Sequence, residues 1–310
     1  MVGQTMGTTY SIIYKGYEIS QDSIDLILEE INSQVSTYIP NSDISIYNVT
    51  SSMYMVNSTS NHFIKNWALS QKIYRQTDGY FDPTVMPLIN YWGFGYTEKQ
   101  AREVVDSNEV SAMMEFVGLD KLKFKNFNIE KPGVFAKLDF SAIAKGYAVD
   151  VVSDHLYQRG ITNFLVEIGG ENKAEGLNQD SLKWSIGLNT PKSDAALNDF
   201  ILVLELSGQA VATSGNYRNF YTVDGKTYGH TINPKTGYPS LNELLSVSVV
   251  TEDCMSADAY ATAFLAMGLE KAKVLVEEID GVEACFFVEG EDGNINKIFS
   301  DGFIQYVRGE

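Results

Sequence analysis

The chain has 310 residues, 44% hydrophobic and 12% aromatic, enough to bury a large core in one big domain or two. A formal net charge of −17 excludes a nucleic-acid partner, because holding a phosphate backbone relies on clustered Lys and Arg. A phosphorylated ligand would need a metal ion or backbone N–H groups to offset the repulsion, and no apolar run reaches the roughly 18 residues of a membrane-spanning helix.

Met1 to Thr5 leads, without a signal peptide, into Met6–Tyr14, whose β-branched and aromatic residues predict an opening strand. Ile24, Ile27, Leu28, Ile31 and Val35 recur at helical spacing and predict a helix over 23–36, capped by Asp22 and stopped by Pro40. Tyr38 falls just beyond it. A second helix is predicted over 61–76, burying Ile64, Trp67, Ala68 and Tyr74 and ending at Asp78-Gly79. The segments Gly79-Tyr80-Phe81-Asp82-Pro83-Thr84-Val85 and Tyr91-Trp92-Gly93-Phe94-Gly95 interleave aromatics with glycines. Such rings stack on a planar ligand or plug a core, and packing is the plainer reading. An exposed helical excursion is expected between Glu98 and Glu115.

Leu138 to Asp150 predicts a strand running through small residues into a helix that continues to Gly160, a junction that can offer N–H groups to an anion. The next strand, 164–168, ends in Gly169-Gly170-Glu171, where a glycine pair either admits a ligand close to the backbone or simply turns the chain. Neither the G-x-G-x-x-G dinucleotide pattern nor a Walker sequence occurs. Further strands are predicted at 184–188, 200–206, 245–250, 282–288 and 295–299, the last two joined through Gly290-Glu291-Asp292-Gly293.

The stretch Val211–Ser240 is the densest. It combines a Ser/Thr/Gly turn at Thr213-Ser214-Gly215, the cluster Asn216-Tyr217-Arg218-Asn219, and a hairpin signal at Asp224-Gly225. The strand leaving that hairpin delivers His230, and Asn233-Pro234-Lys235-Thr236-Gly237 breaks it. A histidine so placed either faces a cleft or sits in a surface loop. Met255 to Phe264 opens a small-residue helix ending at Gly268, with Asp258 and Thr262 on one face. A carboxylate beside a hydroxyl suits a hard cation such as Mg2+, while an Asp near a helix start is more simply a cap. Cys254 and Cys285 are too few for a disulfide framework and read as buried free thiols. With no repeat, low-complexity linker or boundary, residues 1–310 read as a single domain.

Taken together, these stretches resemble the FAD:protein FMN transferases, the ApbE-type flavin transferases. The resemblance covers most of the chain. It is carried by Met6-Gly7-Thr8-Thr9, Ser36-Thr37-Tyr38, Phe81-Asp82-Pro83-Thr84, Trp92-Gly93-Phe94-Gly95 and Asp139 through Gly146. It continues through Ile168-Gly169-Gly170, Ala212-Thr213-Ser214-Gly215, His230-x-Ile232-Asn233-Pro234-x-Thr236-Gly237, and Ala257-Asp258-Ala259 with Thr262. Two positions depart from the family pattern: Ser141-Ala142 stands where many members have a glycine pair, and Asn233 replaces the more frequent Asp.

The resemblance implies an α+β, ApbE-like fold of mixed β-sheets flanked by helices, one large domain with two interleaved lobes. It implies FAD as substrate, with FMN transferred to a Thr or Ser hydroxyl of a protein through a phosphodiester bond and AMP released. His230 would be the general base. Mg2+ would be held by Asp258 and Thr262 with the carbonyls of Ala142 and Ala261. Met6, Tyr38, Tyr80, Phe81, Asp82, Asp139, Lys145 and Ile232 match FAD-contacting positions. The acceptor would be a membrane electron-transfer subunit, of a sodium-translocating NADH:quinone reductase or a related complex, with an exposed Thr. The resemblance also implies a lipid-anchored protein at the periplasmic face of the inner membrane. Two other readings use the same residues: a Mg2+-dependent FAD pyrophosphatase yielding FMN and AMP, and a non-catalytic flavin-binding protein.

Overall fold

The computed structural model describes residues 1–57, 59–97, 105–196, 198–216, 220–223, 226–290 and 293–309, with backbone alone over 220–223 and 226–228. In chain order these residues form β1 (Val2–Thr5), β2 (Thr8–Tyr14), α1 (Gln21–Val35), α2 (Asp43–Val49), β3 (Met53–Met55), α3 (Asn61–Gln76), α4 (Met86–Tyr91) and α5 (Ser107–Met114). Then come β4 (Lys123–Lys125), β5 (Asn128–Glu130), α6 (Ala144–Gln158), β6 (Phe164–Ile168), β7 (Glu171–Glu175), β8 (Trp184–Asn189), β9 (Phe200–Leu206) and β10 (Gln209–Gly215). The chain closes with β11 (Phe220–Val223), β12 (Lys226–Gly229), β13 (Leu244–Thr251), α7 (Cys254–Met267), α8 (Leu269–Glu278), β14 (Glu283–Glu289) and β15 (Ile295–Phe299). Helices combined with antiparallel sheets give the expected α+β class. The chain divides into two compact units, one of Met1–Glu29, Ile143–Arg218 and Asn242–Glu310, the other of Glu30–Ala142 and Asn219–Leu241.

The first unit is built on an eight-stranded antiparallel sheet in the order β1-β2-β6-β7-β10-β13-β14-β15. Alternation sets its faces. Val211 and Val250, paired across β10 and β13, join Cys285 and Phe287 in a cluster with Trp184, Ile186, Leu188, Leu202, Leu204 and Leu206 of the β8–β9 hairpin. Helix α7 packs against β10, β13 and α6 and is buried on nearly every side, which its composition of alanines and aromatics permits. Gly146, in the first turn of α6, sets how closely the two helices approach. A Cβ there would lie 2.3 Å from the Cys254 carbonyl oxygen and 2.9 Å from Asp258 Cβ.

In the second unit, the three-stranded sheet β3-β5-β4 and helices α2 and α3 enclose the aromatic rings of Tyr47, Tyr54, Phe63 and Phe140, with Phe63 and Phe140 edge to face at 5.3 Å. A second cluster gathers Val85, Leu88, Tyr91, Trp92, Val110, Val117 and Ile232, so Tyr91 and Trp92 are packing residues. Strands β11 and β12 form a hairpin with Val223 opposite Lys226.

Several expectations are corrected. Met6 and Gly7 do not belong to a strand. With φ of 50° and 72° they are the two turn residues between β1 and β2, and Thr5 pairs with Thr8 across them. Thr213 and Ser214 belong to β10, paired to Ser248 and Val247, and not to a turn. Asp22 lies inside the first turn of α1 and not at its cap. In α3 the buried face is Phe63, Asn66, Trp67, Ser70 and Ile73 while Ala68 is exposed, because two polar residues share the core face. Leu138–Phe140 is no strand. Asn48 takes the place of a ladder partner, its Oδ1 accepting from Leu138 N at 2.7 Å and its Nδ2 donating to Leu138 O at 2.8 Å. The excursion after Glu98 is helical over Ser107–Met114, and 98–104 lie outside the described residues. Tyr217-Arg218-Asn219, Asp224-Gly225 and Glu291-Asp292 also lie outside them.

Candidate active site

In the first unit, α6, the start of β7 and α7 bring three charged groups together. Lys145 Nζ lies 3.0 Å from Glu171 Oε1 and 3.8 Å from Asp258 Oδ2. Asp258 is 3% exposed and Glu171 4%. Asp258 Oδ2 also accepts from Gly146 N at 3.1 Å. Asp258 does not cap its helix. That role belongs to Asp253, which accepts from Ser256 N, helped by Asp150, whose two oxygens accept from Cys254 N and Met255 N. Burial pulls the Lys145 ammonium toward neutrality, but Asp258 and Glu171 outweigh it and hold it charged above the ordinary lysine range. Burial pushes Glu171 up against the pull of Lys145.

One turn along α7 from Asp258, Thr262 Oγ1 lies 3.0 Å from Ser214 Oγ of β10, and the intervening Ala261 is fully buried. The donors here are one carboxylate, two hydroxyls and a carbonyl, all hard oxygens suited to Mg2+. Among the described residues no three His, Cys, Asp or Glu side chains group to hold a metal, so a cation would rest on Asp258 with neutral oxygens. Asp258 Oδ2, Thr262 Oγ1, Ser214 Oγ and the Ala261 carbonyl are the kind of oxygens a hard cation takes, and the donor set therefore fits. Cys254 and Cys285 are buried free thiols, as expected.

In the second unit, β12 ends at Gly229 and His230 follows, half-buried, with the Phe94 ring edge-on at 6.3 Å. The chain then folds back on itself. Ile232 bridges Pro239, Ser240 N donates to Thr231 O, and Asn233 N donates to Tyr238 O. Asn233 Oδ1 accepts from Lys235 N at 2.9 Å, a contact an aspartate oxygen makes equally well, which explains why Asn serves there. Trp92 Nε1 closes the turn on the Gly237 carbonyl at 2.8 Å. Ile232 itself is a core residue.

The remaining candidates of this unit differ in exposure. Phe81 is buried, Tyr80 is half-buried with Lys235 Nζ 5.6 Å from its ring centre, and Tyr38 is 67% exposed beside Tyr96. Asp82 is buried, and its Oδ1 accepts from Thr84 N at 2.8 Å and from Thr84 Oγ1 at 2.6 Å. Burial pushes the Asp82 carboxyl up to about 6 despite those donors. Asp139 accepts from both the N–H and the hydroxyl of Ser141, a use for the serine at one variant position, and Ala142 follows half-buried. Burial raises Asp139 as well. Met6 sits in its hairpin turn in the first unit.

Sequence reasoning assigned no role to Glu171, Ser214 or Gly146. Each lay inside a quoted motif, but their value depends on contacts between elements distant in sequence. The one local signal was a carboxylate directly after a glycine pair at a strand start.

The family model described as the ApbE family matches residues 6–286. An FAD:protein FMN transferase of Vibrio cholerae is 38% identical over 94% of this chain and 87% of its own length. One of Haemophilus influenzae is 32% identical over 95% and 88%. Among solved structures, the flavin transferase ApbE from Vibrio cholerae matches with a TM-score of 0.87 at 35% identity, covering 99% of this chain and 98% of that one. The apo form of Pseudomonas stutzeri flavinyl transferase ApbE matches at 0.86 and 32%, covering 99% and 95%.

Proposed function

The chain belongs to the ApbE family and is an FAD:protein FMN transferase, and from that premise we propose how its residues divide the work. A Thr or Ser hydroxyl of an acceptor protein attacks the FMN-side phosphorus of the FAD pyrophosphate. A new oxygen–phosphorus bond forms, the bond to the bridging oxygen breaks, and AMP leaves with its electron pair, so FMN stays on the acceptor as a phosphodiester. His230 takes the hydroxyl proton on an imidazole nitrogen. Asp258, Thr262 and the Ala261 carbonyl would hold Mg2+, which when bound would supply positive charge to the pyrophosphate. Lys145 adds a fixed positive charge, and Tyr38, Tyr80 and Phe81 offer rings to the flavin or adenine.

The observation that carries this reading is the Lys145–Glu171–Asp258 set, a buried place for a cation in a chain of net charge −17. The transferase names of the relatives favour transfer over hydrolysis of FAD by water or simple flavin binding.

The acceptor hydroxyl sits on an exposed, flexible segment, because it must come within roughly 3–3.5 Å of phosphorus beside a ligand as large as FAD. We assign it to a membrane electron-transfer subunit, of a sodium-translocating NADH:quinone reductase or a related complex, met at the periplasmic face by a lipid-anchored enzyme. The resemblance supports this placement. A short peptide carrying the acceptor Thr, incubated with enzyme, FAD and Mg2+, should gain the mass of FMN while its Thr→Val version should not. Modification of the valine peptide overturns the phosphodiester chemistry. Rapid release of FMN and AMP without any peptide would favour hydrolysis instead.

A further inference from the structure

Glu171 is not used by the mechanism above, yet it is among the most deeply buried charged side chains of the first unit, 4% exposed at the first position of β7. Its Oε1 accepts from Lys145 Nζ at 3.0 Å, while its buried Oε2 has no hydrogen-bond partner among the described residues. Burying a carboxylate is costly unless it is matched by charge, so the contact with Lys145 is what makes the position tenable.

The geometry of Lys145 shows what the contact does. Its ammonium has two carboxylates within reach but makes a hydrogen bond with Glu171 alone, standing off Asp258 at the longer ion-pair distance of 3.8 Å. Its stem passes close to the strand end at Gly169. A Cβ on Gly169, whose φ is +61°, would come 3.2 Å from Lys145 Cδ and 2.7 Å from Thr8 Cγ2. Asp258 meanwhile is fixed by the Gly146 N–H, which leaves the carboxylate with charge to spare. Without an acceptor at Glu171, a flexible lysine would close onto Asp258 and neutralise the carboxylate that the cation needs.

We propose that Glu171 is a positioning residue that holds the Lys145 ammonium off Asp258, keeping the Asp258 carboxylate open to Mg2+. This rests on the assignment of Mg2+ to Asp258 and Thr262, and the two are separable by calorimetric titration of the full chain with Mg2+ alone. Supporting groups around metal ligands are worth roughly ten- to a hundredfold in affinity, and Glu171→Leu should weaken Mg2+ binding by that factor. In a Lys145→Met background the same substitution should change affinity less than about twofold, because no ammonium remains to be displaced. An equal loss in both backgrounds would mean that Glu171 acts as a distant charge or a packing group, and it would overturn the proposal. So would unchanged affinity in Glu171→Leu. Wild-type protein that takes up no Mg2+ overturns the metal assignment and the proposal together. Should Glu171→Leu fail to fold, Glu171→Gln keeps the acceptor oxygen without the charge. It should show a smaller loss, again abolished by Lys145→Met, and an equal loss in both backgrounds refutes the idea.

Discussion

The α6–α7 cluster and the His230 turn handle polar groups in opposite ways. In the cluster, charges are buried at a helix crossing, and each is fixed by a residue distant in sequence: Lys145 by Glu171, Asp258 by Gly146. Around His230 the turn's backbone contacts are local, Asn233 to Lys235 and Thr231 to Ser240, with Trp92 reaching in from a distance to the Gly237 carbonyl, and the imidazole stays half-buried at the end of a strand. Under the roles proposed above, a group that holds a cation profits from low dielectric and rigidity, whereas one that meets a second protein profits from exposure. The same contrast separates two buried aspartates. Asp82 directs its Oδ1 to two donors of the adjacent Thr84, whereas Asp258 takes one backbone N–H and faces an ammonium.

The comparison breaks most sharply at Asp258. Asp258→Asn should lower transfer about 10²- to 10³-fold and demand raised Mg2+, with the melting temperature nearly unchanged, since Asp253 and not Asp258 caps the helix. Normal turnover at ordinary Mg2+ would remove the metal from this site. On the other side, His230→Ala should cost about 10²-fold in rate at saturating FAD while FAD affinity stays within about twofold. Fluorescence titration alongside rate measurements separates that from a pocket-shaping histidine, whose loss would move the affinity and spare the rate.

A third substitution addresses rigidity. Gly146→Ala puts a methyl against the Cys254 carbonyl, so the α6–α7 crossing must open, at about 1–3 kcal/mol. Thermal unfolding should register it, and an unchanged midpoint would show that the crossing is looser than the contacts imply.

The smallest effect concerns Asp82. Its carboxyl titrates at 3.8 unperturbed and is pushed up to about 6 by burial, so the folded chain binds this proton more tightly than the unfolded one. Stability from this group is present below about pH 4 and lost as pH rises through about 6. Asp82→Asn, which keeps the oxygen for Thr84, escapes that loss. Relative to wild type the variant should gain on the order of 1–2 kcal/mol between pH 4 and pH 6.5 in urea unfolding. A constant difference across that range would show that Asp82 is not buried as an acid.

Much of the larger architecture was legible. Strand 164–168 reads directly from its apolar run, and Gly268 ends α7 as its sequence promised. The misses share a cause. Met6-Gly7 turns the chain although a methionine at positive φ has no sequence signature, and α3 hides Asn66 and Ser70 on the face that hydrophobicity would expose. Asp258 was visible as an oxygen donor beside Thr262. Lys145 was named as a FAD-contacting position but not as a partner of Asp258, and Glu171 was not named, since nothing local says that residues 113 and 87 positions away converge on Asp258. At the site, the motifs named residues while tertiary contacts assigned their neighbours.

The pairing of Asn48 with Leu138 spans 90 residues and replaces a sheet ladder with a single side chain. Both hydrogen bonds of that backbone unit therefore hang on one amide group, and solvent hydrogen exchange at Leu138 must wait for α2 to detach. The segment that leads into Asp139 thus inherits its lifetime from a short helix in another part of the chain. An Asn48→Ala chain would release the Leu138 amide early, while neighbours in the ladders of the large sheet kept their protection.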